Sequence, residues 1–572
     1  MAEPASAPSD GLSSALTTGR ALILLQLLSR LLTFALNQGL VRLAPPAVFG
    51  TAAIQFDLVA ATVLFLSREG VRNALLRRKG DDDNDVNSGF STQDAALATL
   101  PFKLGCGVAV AVLALYLSTS SAETTSQPYF HVALRLYVYG ALAELAIEPL
   151  YVRALRESPP RIRVRVQAEG GMAIVRAVVT FACLVLDPSG QRALLGFAIG
   201  HSAGASWLAA RYVYEYGGLK VLPSLFFPKT NDQTTKREET GAASTRALAI
   251  ANTRQSVVKH VLTEADRLAV GRISPLGDQG GYAVAMNYGS LVARIIFQPI
   301  EETLLLHWSR ALDSPSTLPL LTLALRLSLH LLLLLPVFLP PLLPIVLPVL
   351  LPRRYVTETD AASTLQTYLV CYLPVLSFNG ILEAFHAASA TPEQVARQAW
   401  FMIASSVAFA WSLVVFTGVY AGWFMGYGRT AGGVTRSPPP GLLTSIFHCT
   451  TEQALIYSSC VAMSTRIAYA WPHAQGFFRK RGTPLTFAAI VPKARVRYVV
   501  AVTGAGLWVL AYRLGTSLRD QAILLAVGAV AGILVLYTIY TAEHDQFSAI
   551  GASLGRHERE PEPQTQPKPK SE

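Results

Sequence analysis

Residues 521–540 read QAILLAVGAVAGILVLYTIY and contain no charged side chain. A helix crosses the hydrocarbon core of a bilayer with roughly 20 predominantly apolar residues. Because lipid offers no hydrogen-bond partners, the backbone groups of such a run must be satisfied within the segment. The run is also too long for a strand of a membrane barrel, which needs about 9–11 residues. It therefore predicts a transmembrane α-helix.

Stretches of this kind recur along the whole chain of 572 residues. Hydrophobic residues make up 51% and charged residues 15% of the sequence, against about 25% charged residues in a typical soluble domain. So few charges cannot cover this much apolar surface in water, which excludes a string of soluble domains, a disordered chain, a coiled coil and a disulfide scaffold. We predict about fourteen spans, each near the roughly 20 residues that a bilayer requires, at 19–43, 48–67, 95–117, 130–152, 165–187, 191–213, 245–271, 280–306, 318–350, 361–388, 394–424, 450–472, 496–513 and 519–541.

The ninth predicted span is unusual because residues 331–352 (LLLLLPVFLPPLLPIVLPVLLP) contain six prolines. Proline removes a backbone donor and clashes with the preceding helical turn. We expect a kinked or partly unwound span, which would serve either as a bent packing helix or as a hinge.

Basic residues collect in alternate loops. The loops after the second, fourth, sixth and twelfth spans each carry five or more Lys and Arg residues, whereas the intervening loops carry two or fewer. The positive-inside rule places the basic loops and both termini in the cytosol. The net charge of +11 is therefore a signal of topology. Since no nucleic-acid-binding motif accompanies it, we expect no nucleic-acid partner.

Polar segments flank and separate the predicted spans. Residues 1–18 lack the basic and apolar regions of a cleaved signal peptide, and residues 542–572 are charged and rich in proline. We expect both to be disordered cytosolic tails. Lys568 and Lys570 have the spacing of a cytosolic retrieval signal for the endoplasmic reticulum. The remaining polar segments are a predicted cytosolic linker at 214–244 and a cytosolic loop at 476–495.

Catalytic and metal-binding motifs are absent from the sequence. The five cysteines are scattered without the spacing of a zinc site or a redox pair. There is no phosphate-binding loop, zinc-protease motif or nucleophile elbow. A polytopic protein without a catalytic constellation is most often a transporter or channel. We predict that the chain is not an enzyme and that it uses no metal and no cofactor.

Two adjacent segments repeat at an offset of about 230 residues. Residues 31–42 align with 261–272, and residues 49–69 align with 281–301. The offset corresponds to six helices, so both copies start on the same side of the membrane, as in transporters built from parallel repeats. The predicted fold class is an all-α polytopic membrane protein of about fourteen transmembrane helices. They form two six-helix bundles at 19–213 and 245–475, followed by a final pair at 496–541.

Charged side chains inside the spans are the main functional candidates. Inserting one at the bilayer centre costs about 2.5–3.5 kcal/mol or more. Any single residue could form an ion pair that locks two helices together. As a set, they require a shared hydrated interior, because lipid excludes them. They are Arg30, Asp57, Glu144, Glu148, Glu169, Arg176, Glu264, Asp266, Arg267, Arg294, Glu301, Glu302, Glu383 and Arg466.

Three segments resemble one known family. They are FGTAAIQFDLVAATVLFLSREGVRNALLR at 49–77, LTEADRLAV at 262–270 and NYGSLVARIIFQPIEE at 287–302. They are similar to the Rft family of eukaryotic oligosaccharide-translocation proteins, which belongs to the multidrug/oligosaccharidyl-lipid/polysaccharide exporter superfamily. The resemblance covers roughly 19–542 and is interrupted by a Gly-, Pro- and Ser-rich stretch at 426–459. That stretch is either a lumenal insertion or an error in the gene model.

The resemblance implies a location in the endoplasmic reticulum membrane and a role in protein N-glycosylation. The implied partner is a dolichol-diphosphate oligosaccharide with two N-acetylglucosamines and five mannoses, which moves from the cytosolic to the lumenal leaflet. Membrane lipid and other N-glycosylation proteins are further implied partners. Family members act either as the flippase itself or in support of a nearby step.

A diphosphate headgroup needs fixed cations, and the arginine fork suits phosphate oxygens. A hydrated cavity between two bundles that rock in alternating access would spare the sugar hydroxyls the cost of unpaired burial. The candidate cavity cations are Arg30, Arg68, Arg72, Arg294 and Arg466. The candidate cavity acids and gate partners are Asp57, Glu69, Glu264, Asp266, Arg267, Glu301 and Glu302.

Two other functions remain open at this point. The chain could be a cation-coupled multidrug antiporter of the same superfamily, or a non-transporting factor that supports glycosylation enzymes. An integral-membrane glycosyltransferase is disfavoured, because such enzymes normally carry an acidic lumenal loop near the first helix and this sequence has none there.

Overall fold

The structure is a computed structural model that describes residues 36, 38–77, 96–157, 161–221, 249–250, 253, 257, 260–261, 263–417, 449–515 and 517–557. This part of the chain is helical and contains no strand. Most of the first predicted span, Arg30, most of the predicted linker at 214–244 and most of the stretch at 426–459 lie outside the described residues.

Thirteen helices of nine or more residues, labelled α1 to α13, can be traced through the described ranges. They are α1 (Pro46–Gly50, Thr51–Phe56 and Asp57–Arg77), α2 (Leu100–Thr119), α3 (Phe130–Ala146 and Glu148–Arg156), α4 (Ile162–Val185), α5 (Ala193–Glu215), α6 (Ala265–Ile273), α7 (Leu276–Val292, Ala293–Phe297 and Gln298–Ala311), α8 (Thr317–Leu350), α9 (Ala361–Thr367, Tyr368–Tyr372 and Leu373–Ser389), α10 (Pro392–Thr417), α11 (Thr451–Lys480), α12 (Ala494–Arg513) and α13 (Leu518–His557).

Ten of these helices are long and apolar enough to cross a membrane: α1 to α5, α8 to α10, α12 and α13. This confirms a polytopic, all-helical membrane protein. α7 and α11 have the necessary length, but they are too polar to meet the same criterion. The predicted count of fourteen remains a prediction, because the first span and much of the seventh fall on residues that are not described.

Three of the helices change geometry next to a proline. α3 is interrupted at Ile147, and its second part begins with Glu148 and Pro149. α7 and α9 each contain a π-helical turn that ends two residues before a proline, Pro299 and Pro374 respectively. The physical cause is shared, because proline cannot donate to the carbonyl four residues earlier. π-Helical turns often occur at functional sites.

The proline-rich span α8 forms one continuous helix of 34 residues with five prolines inside it. The predicted unwinding is therefore absent from this helix. Pro341 removes the donor that would normally reach the Val337 carbonyl. The indole N–H of Trp508 on α12 donates to that carbonyl instead, at 2.9 Å. A neighbouring helix thus supplies the hydrogen bond that the proline removed.

The chain forms two compact units, Met1–Ala283 and Val284–Glu572. In the first unit, Phe56 packs on Tyr137 and Phe130 with ring centroids 5.1 and 5.5 Å apart, and all three rings are buried. In the second unit, Phe385 packs at 5.3 Å against both Trp308 and Phe478. The predicted boundaries of the two bundles and of the final pair remain predictions.

In the first unit, the first turns of α1 and α7 touch through their backbones. A Cβ atom added to Gly280 would lie 2.0 Å from the carbonyl oxygen of Pro46, and one added to Gly50 would lie 2.7 Å from the Gly280 nitrogen. Nearby, the buried Gln55 side chain donates to Gln279 at 2.7 Å. Only glycine permits two helices to approach this closely.

In the second unit, the final pair α12 and α13 packs on α8. Val496 and Val500 on α12 and Val535 and Ile539 on α13 form a buried cluster against α8. α13 continues to His557, past the predicted start of the tail at 542. The extension follows from packing, because Glu543 is fully buried and forms an ion pair with Arg326 of α8 at 2.5 Å.

The start of α11 is defined by a capping box. The Thr450 hydroxyl accepts from the backbone N–H of Gln453 at 3.3 Å, and the Gln453 side chain accepts from the Thr450 N–H at 3.0 Å. Such reciprocal bonds satisfy two otherwise unpaired donors at a helix start. The helix therefore begins inside the stretch at 426–459 that was predicted to be atypical, and it continues to Lys480, into the predicted loop at 476–495.

Candidate functional site

A ladder of two ion pairs joins α1 to α3 in the first unit. Arg68 donates to Glu144 at 3.2 Å, and Arg72 donates to Glu148 through two bonds of 2.5 and 2.6 Å. Residues four apart on a helix share one face, so the two rungs are stacked one turn apart. The sequence placed both acids on one face but did not identify their partners.

The two rungs differ in their exposure. Glu148 is 1% exposed, and the Arg72 guanidinium also lies over the Tyr151 ring, 3.9 Å from its centroid. The bidentate bonds and the aromatic face together occupy this guanidinium. Arg68 is more open, with a side chain that is 26% exposed. Arg72 is thus held as a structural cation, whereas Arg68 remains accessible.

A second ion pair in this unit joins α1 to α4. Arg176 donates to Asp57 at 2.7 Å, and their side chains are 34% and 28% exposed. The neighbouring rings of Tyr137 and His201 are buried and stacked, with centroids 4.4 Å apart. Asp57 was a predicted site acid. Its partner Arg176 was noted as an intramembrane charge but was not among the candidate site cations.

The remaining candidates of the first unit make local contacts. Glu69 accepts from Asn73, one turn away, at 3.1 Å. Glu264 pairs with Arg267 at 3.0 Å across one turn at the start of α6. Asp266 is half-buried beside them. Within the described residues, these acids are therefore satisfied along their own helix.

One ion pair inside the second unit joins α9 to α11. Arg466 lies 3.7 Å from Glu383, and it also donates to the Ser405 hydroxyl of α10 at 3.3 Å. The side chains of the pair are 29% and 31% exposed. Arg466 was a predicted cation, and Glu383 was recognised only as an intramembrane charge.

Arg294 occupies the π-helical turn of α7 and is exposed. Its guanidinium donates along its own helix, to the Ser290 hydroxyl at 3.2 Å and to the Asn287 side-chain oxygen at 3.3 Å. These bonds hold the side chain against the first part of α7. The predicted pairing of arginines with Glu301 and Glu302 is not among the ion pairs of the described residues.

Glu301 and Glu302 have separate surroundings. The Glu301 carboxylate lies against the backbone of α9, where a Cβ atom added to Gly380 would be 1.8 Å from its Oε1. Glu302 is exposed and accepts from Gln298 at 3.0 Å. Gly380 lies one turn before Glu383, so Glu301 approaches the acid that pairs with Arg466.

The sequence did not identify one further buried ion pair, Arg326–Glu543, which links α8 to α13. The two side chains are 8% and 0% exposed. Arg326 was the only basic residue of a leucine-rich predicted span, which is the signal that could have revealed it. Its partner lay just outside the last predicted span.

The fold defines a class, that of polytopic helical membrane proteins, and one solved structure shares its architecture. The solved structure of the lipid II flippase MurJ in an inward closed conformation matches with a TM-score of 0.52 and 12% identity, covering 91% of this chain and 98% of that one. At this identity the likeness establishes the fold alone.

The particular family follows from sequence comparison. The family model described as "Rft protein" matches residues 14–424 and 441–552, and the chain belongs to the Rft family. The unmatched residues 425–440 form a shorter gap than the atypical stretch inferred at 426–459. The match resumes before α11 begins, so the entry to this helix belongs to the family pattern.

Relatives are 25–34% identical to this chain over the aligned residues. The "Man(5)GlcNAc(2)-PP-dolichol translocation protein RFT1" of Eremothecium gossypii is 30% identical over 486 residues, which are 80% of this chain and 81% of the relative. Proteins of the same name from Yarrowia lipolytica and Saccharomyces cerevisiae are 34% and 29% identical. The Yarrowia alignment covers 68% of this chain and 63% of the relative. The Saccharomyces alignment covers 70% of this chain and 77% of the relative.

Proposed function

We propose that the chain moves a dolichol-diphosphate oligosaccharide of two N-acetylglucosamines and five mannoses across the endoplasmic reticulum membrane. The direction is from the cytosolic to the lumenal leaflet, in support of protein N-glycosylation. The names of the relatives and the flippase architecture support this proposal. The proposal includes about fourteen spans with both termini in the cytosol, as the positive-inside rule predicts.

In each unit, one ion pair joins two predicted spans with both of its partners partly exposed, and this observation carries the proposal. Asp57–Arg176 and Glu383–Arg466 are each about one third exposed, whereas Arg72–Glu148 and Arg326–Glu543 are largely buried. A polar ligand can reach the first two pairs and cannot reach the last two. We assign the two accessible pairs to substrate and the two buried pairs to structure.

An ion pair inside a membrane suits a reversible anion site. Without substrate, each arginine is neutralised by its carboxylate, which avoids the cost of an unpaired charge. A diphosphate then competes for the same guanidinium through charge-assisted hydrogen bonds. When the ligand leaves, the carboxylate returns to the arginine. The arginine of each unit is therefore never left as an unpaired cation, whether or not substrate is bound.

The test is leaflet exchange in vesicles that contain the purified chain. Labelled dolichol-diphosphate oligosaccharide is placed in both leaflets, and the fraction accessible from outside is followed over time. We expect exchange above that of protein-free vesicles. Arg176→Gln and Arg466→Gln should each slow it by at least tenfold, because a hydrogen bond to a charged group contributes about 1.5–3 kcal/mol.

The matched control is Arg165→Gln, which removes one charge from an exposed pair with Glu169 on α4. This control should keep the wild-type rate. Exchange no faster than in empty vesicles would favour the alternative, a non-transporting factor of the glycosylation pathway. Exchange that requires a proton or sodium gradient would favour a cation-coupled antiporter.

A further inference from the structure

The second unit carries a strongly basic surface between α11 and α12, which we call the basic platform and define as residues 479–498. Its sequence, RKRGTPLTFAAIVPKARVRY, contains no acidic residue. The described structure leaves all its cations exposed. They are Arg479, Lys480, Arg481, Lys493, Arg495 and Arg497.

The basic platform is folded against the helices of its own unit. Leu485 and Ile490 are 4% and 0% exposed and belong to the aromatic core around Phe385. The short helix Phe487–Ile490 ends at the second of these anchors. Phe487 and Tyr498 instead point outward, with 59% and 71% of their surface exposed. Apolar anchors thus face inward, and two aromatic rings and most of the cations face outward, while Arg481 pairs with the exposed Asp313.

Hydrogen bonds from three sides fix the platform. Arg326 of α8 donates to the Ala489 carbonyl at 3.2 Å, and Gln475 of α11 donates to the Leu485 carbonyl at 3.3 Å. Lys493 donates to a backbone carbonyl of α13. The Arg326 guanidinium is itself held by the buried Glu543 carboxylate. Three different helices therefore determine the shape of this connection.

A topology signal needs charge but does not need a fixed shape. Burying an ion pair is costly, and such pairs are weak stabilisers compared with apolar packing. A connection that is anchored by a buried ion pair, with a cationic and aromatic outer face, has the properties of a binding surface. Aromatic rings and clustered Lys and Arg residues favour the headgroup region of a membrane.

We propose that the basic platform binds the phosphate groups of anionic phospholipids in the leaflet where α11 ends and α12 begins. The cations are spread over twenty residues and flanked by two exposed aromatic rings, which suits an extended lipid surface better than one compact phosphate. This inference does not depend on the translocation of any substrate.

Trp471 provides a local reporter, because its ring lies 6.1 Å from that of Phe487. The full chain is reconstituted in phosphatidylcholine vesicles that contain brominated phosphatidylserine or, in parallel, brominated phosphatidylcholine. The fluorescence quenching that disappears in the Trp471→Phe variant is the part that reports on the platform. We expect stronger quenching by the anionic lipid, with a preference that weakens as salt is added.

The decisive variant is the triple substitution Lys480→Gln, Arg495→Gln and Arg497→Gln, which leaves the anchoring contacts in place. It should reduce the anionic preference at least fivefold, since each cation near an anionic surface contributes about that factor. The matched control removes three exposed cations of the first unit, Arg153, Arg161 and Arg165. It should keep the preference.

Three results would overturn the proposal. They are equal quenching of the wild type by both lipids, an equal loss in the control, and displacement of the anionic lipid by low millimolar inorganic diphosphate. The last would indicate a compact phosphate site. Unchanged helicity by circular dichroism verifies that the triple variant is folded, so its result counts in either direction.

Discussion

The buried pair Arg326–Glu543 allows a quantitative test of how the final helices are held. Glu543→Gln removes the carboxylate but keeps the volume of the side chain. Because the two side chains are only 8% and 0% exposed, solvent does not screen the remaining charge. Removing one partner of a buried pair costs about 3–5 kcal/mol. The low end applies here, since Arg326 keeps its bond to the Ala489 carbonyl.

Replacing both residues should behave differently. In Arg326→Met with Glu543→Met, no charge is left unpaired, and apolar replacement of a buried pair is often neutral or stabilising. The lost bond to the Ala489 carbonyl costs about 1 kcal/mol. We therefore expect the double variant to be more stable than Glu543→Gln by about 2 kcal/mol or more.

The assay is equilibrium unfolding of the purified chain in mild detergent, titrated with a denaturing detergent and followed by intrinsic fluorescence. The matched control is Arg165→Gln, whose exposed pair should contribute less than about 0.5 kcal/mol. A cost of Glu543→Gln no larger than that of this control, or a double variant less stable than the single one, would contradict a buried and unscreened ion pair.

Three further predictions concern single contacts. Trp508→Phe should cost about 1 kcal/mol by leaving a carbonyl of α8 without its donor, and adding Pro341→Ala should recover the loss in the same unfolding titration, because alanine restores the N–H. Gly280→Ala should lower the amount of folded protein on size-exclusion chromatography, since overpacking costs about 1–3 kcal/mol. The control Gly476→Ala should not, because an added Cβ atom there meets nothing within 4 Å. Equal yields of the two variants would contradict the backbone contact. Arg72→Lys should lower the thermal midpoint despite its retained charge, because lysine lacks the planar fork; an unchanged midpoint would argue against the bidentate assignment.

Much of the fold could be predicted from hydropathy because a spanning helix is a local property of about 20 residues. The long apolar helices were found in this way. α13 continued beyond its predicted end because Glu543 is buried by a partner that is remote in sequence. The hydrophobic periodicity of one segment does not reveal a partner that lies elsewhere in the sequence. In the same way, the prolines of α8 predicted a partly unwound helix, because the sequence of α8 alone does not show that Trp508 donates the missing hydrogen bond.

The charged sites were only partly predictable for a related reason. The spacing of Glu144 and Glu148 indicated a shared face, since that depends on helical geometry alone. Which cation each acid meets depends on the packing of separate helices. The resemblance to the family made both Arg72 and Arg466 candidate cavity cations. The structure instead buries Arg72 against Glu148 and leaves Arg466 partly exposed. Exposure, which decides between a structural and a ligand-binding role, is a tertiary property.

The proline-rich helix has a consequence for biogenesis. The Val337 carbonyl and the Arg326 guanidinium enter the membrane early in synthesis, but their partners Trp508 and Glu543 are synthesised much later. Until then, α8 contains an acceptor and a cation without these partners, and an unpaired charge within a membrane is costly. Chains truncated before α12 should therefore be degraded even though they contain both accessible ion pairs. α12 and α13 thus supply what α8 lacks on its own, a donor for the Val337 carbonyl and a counter-ion for Arg326.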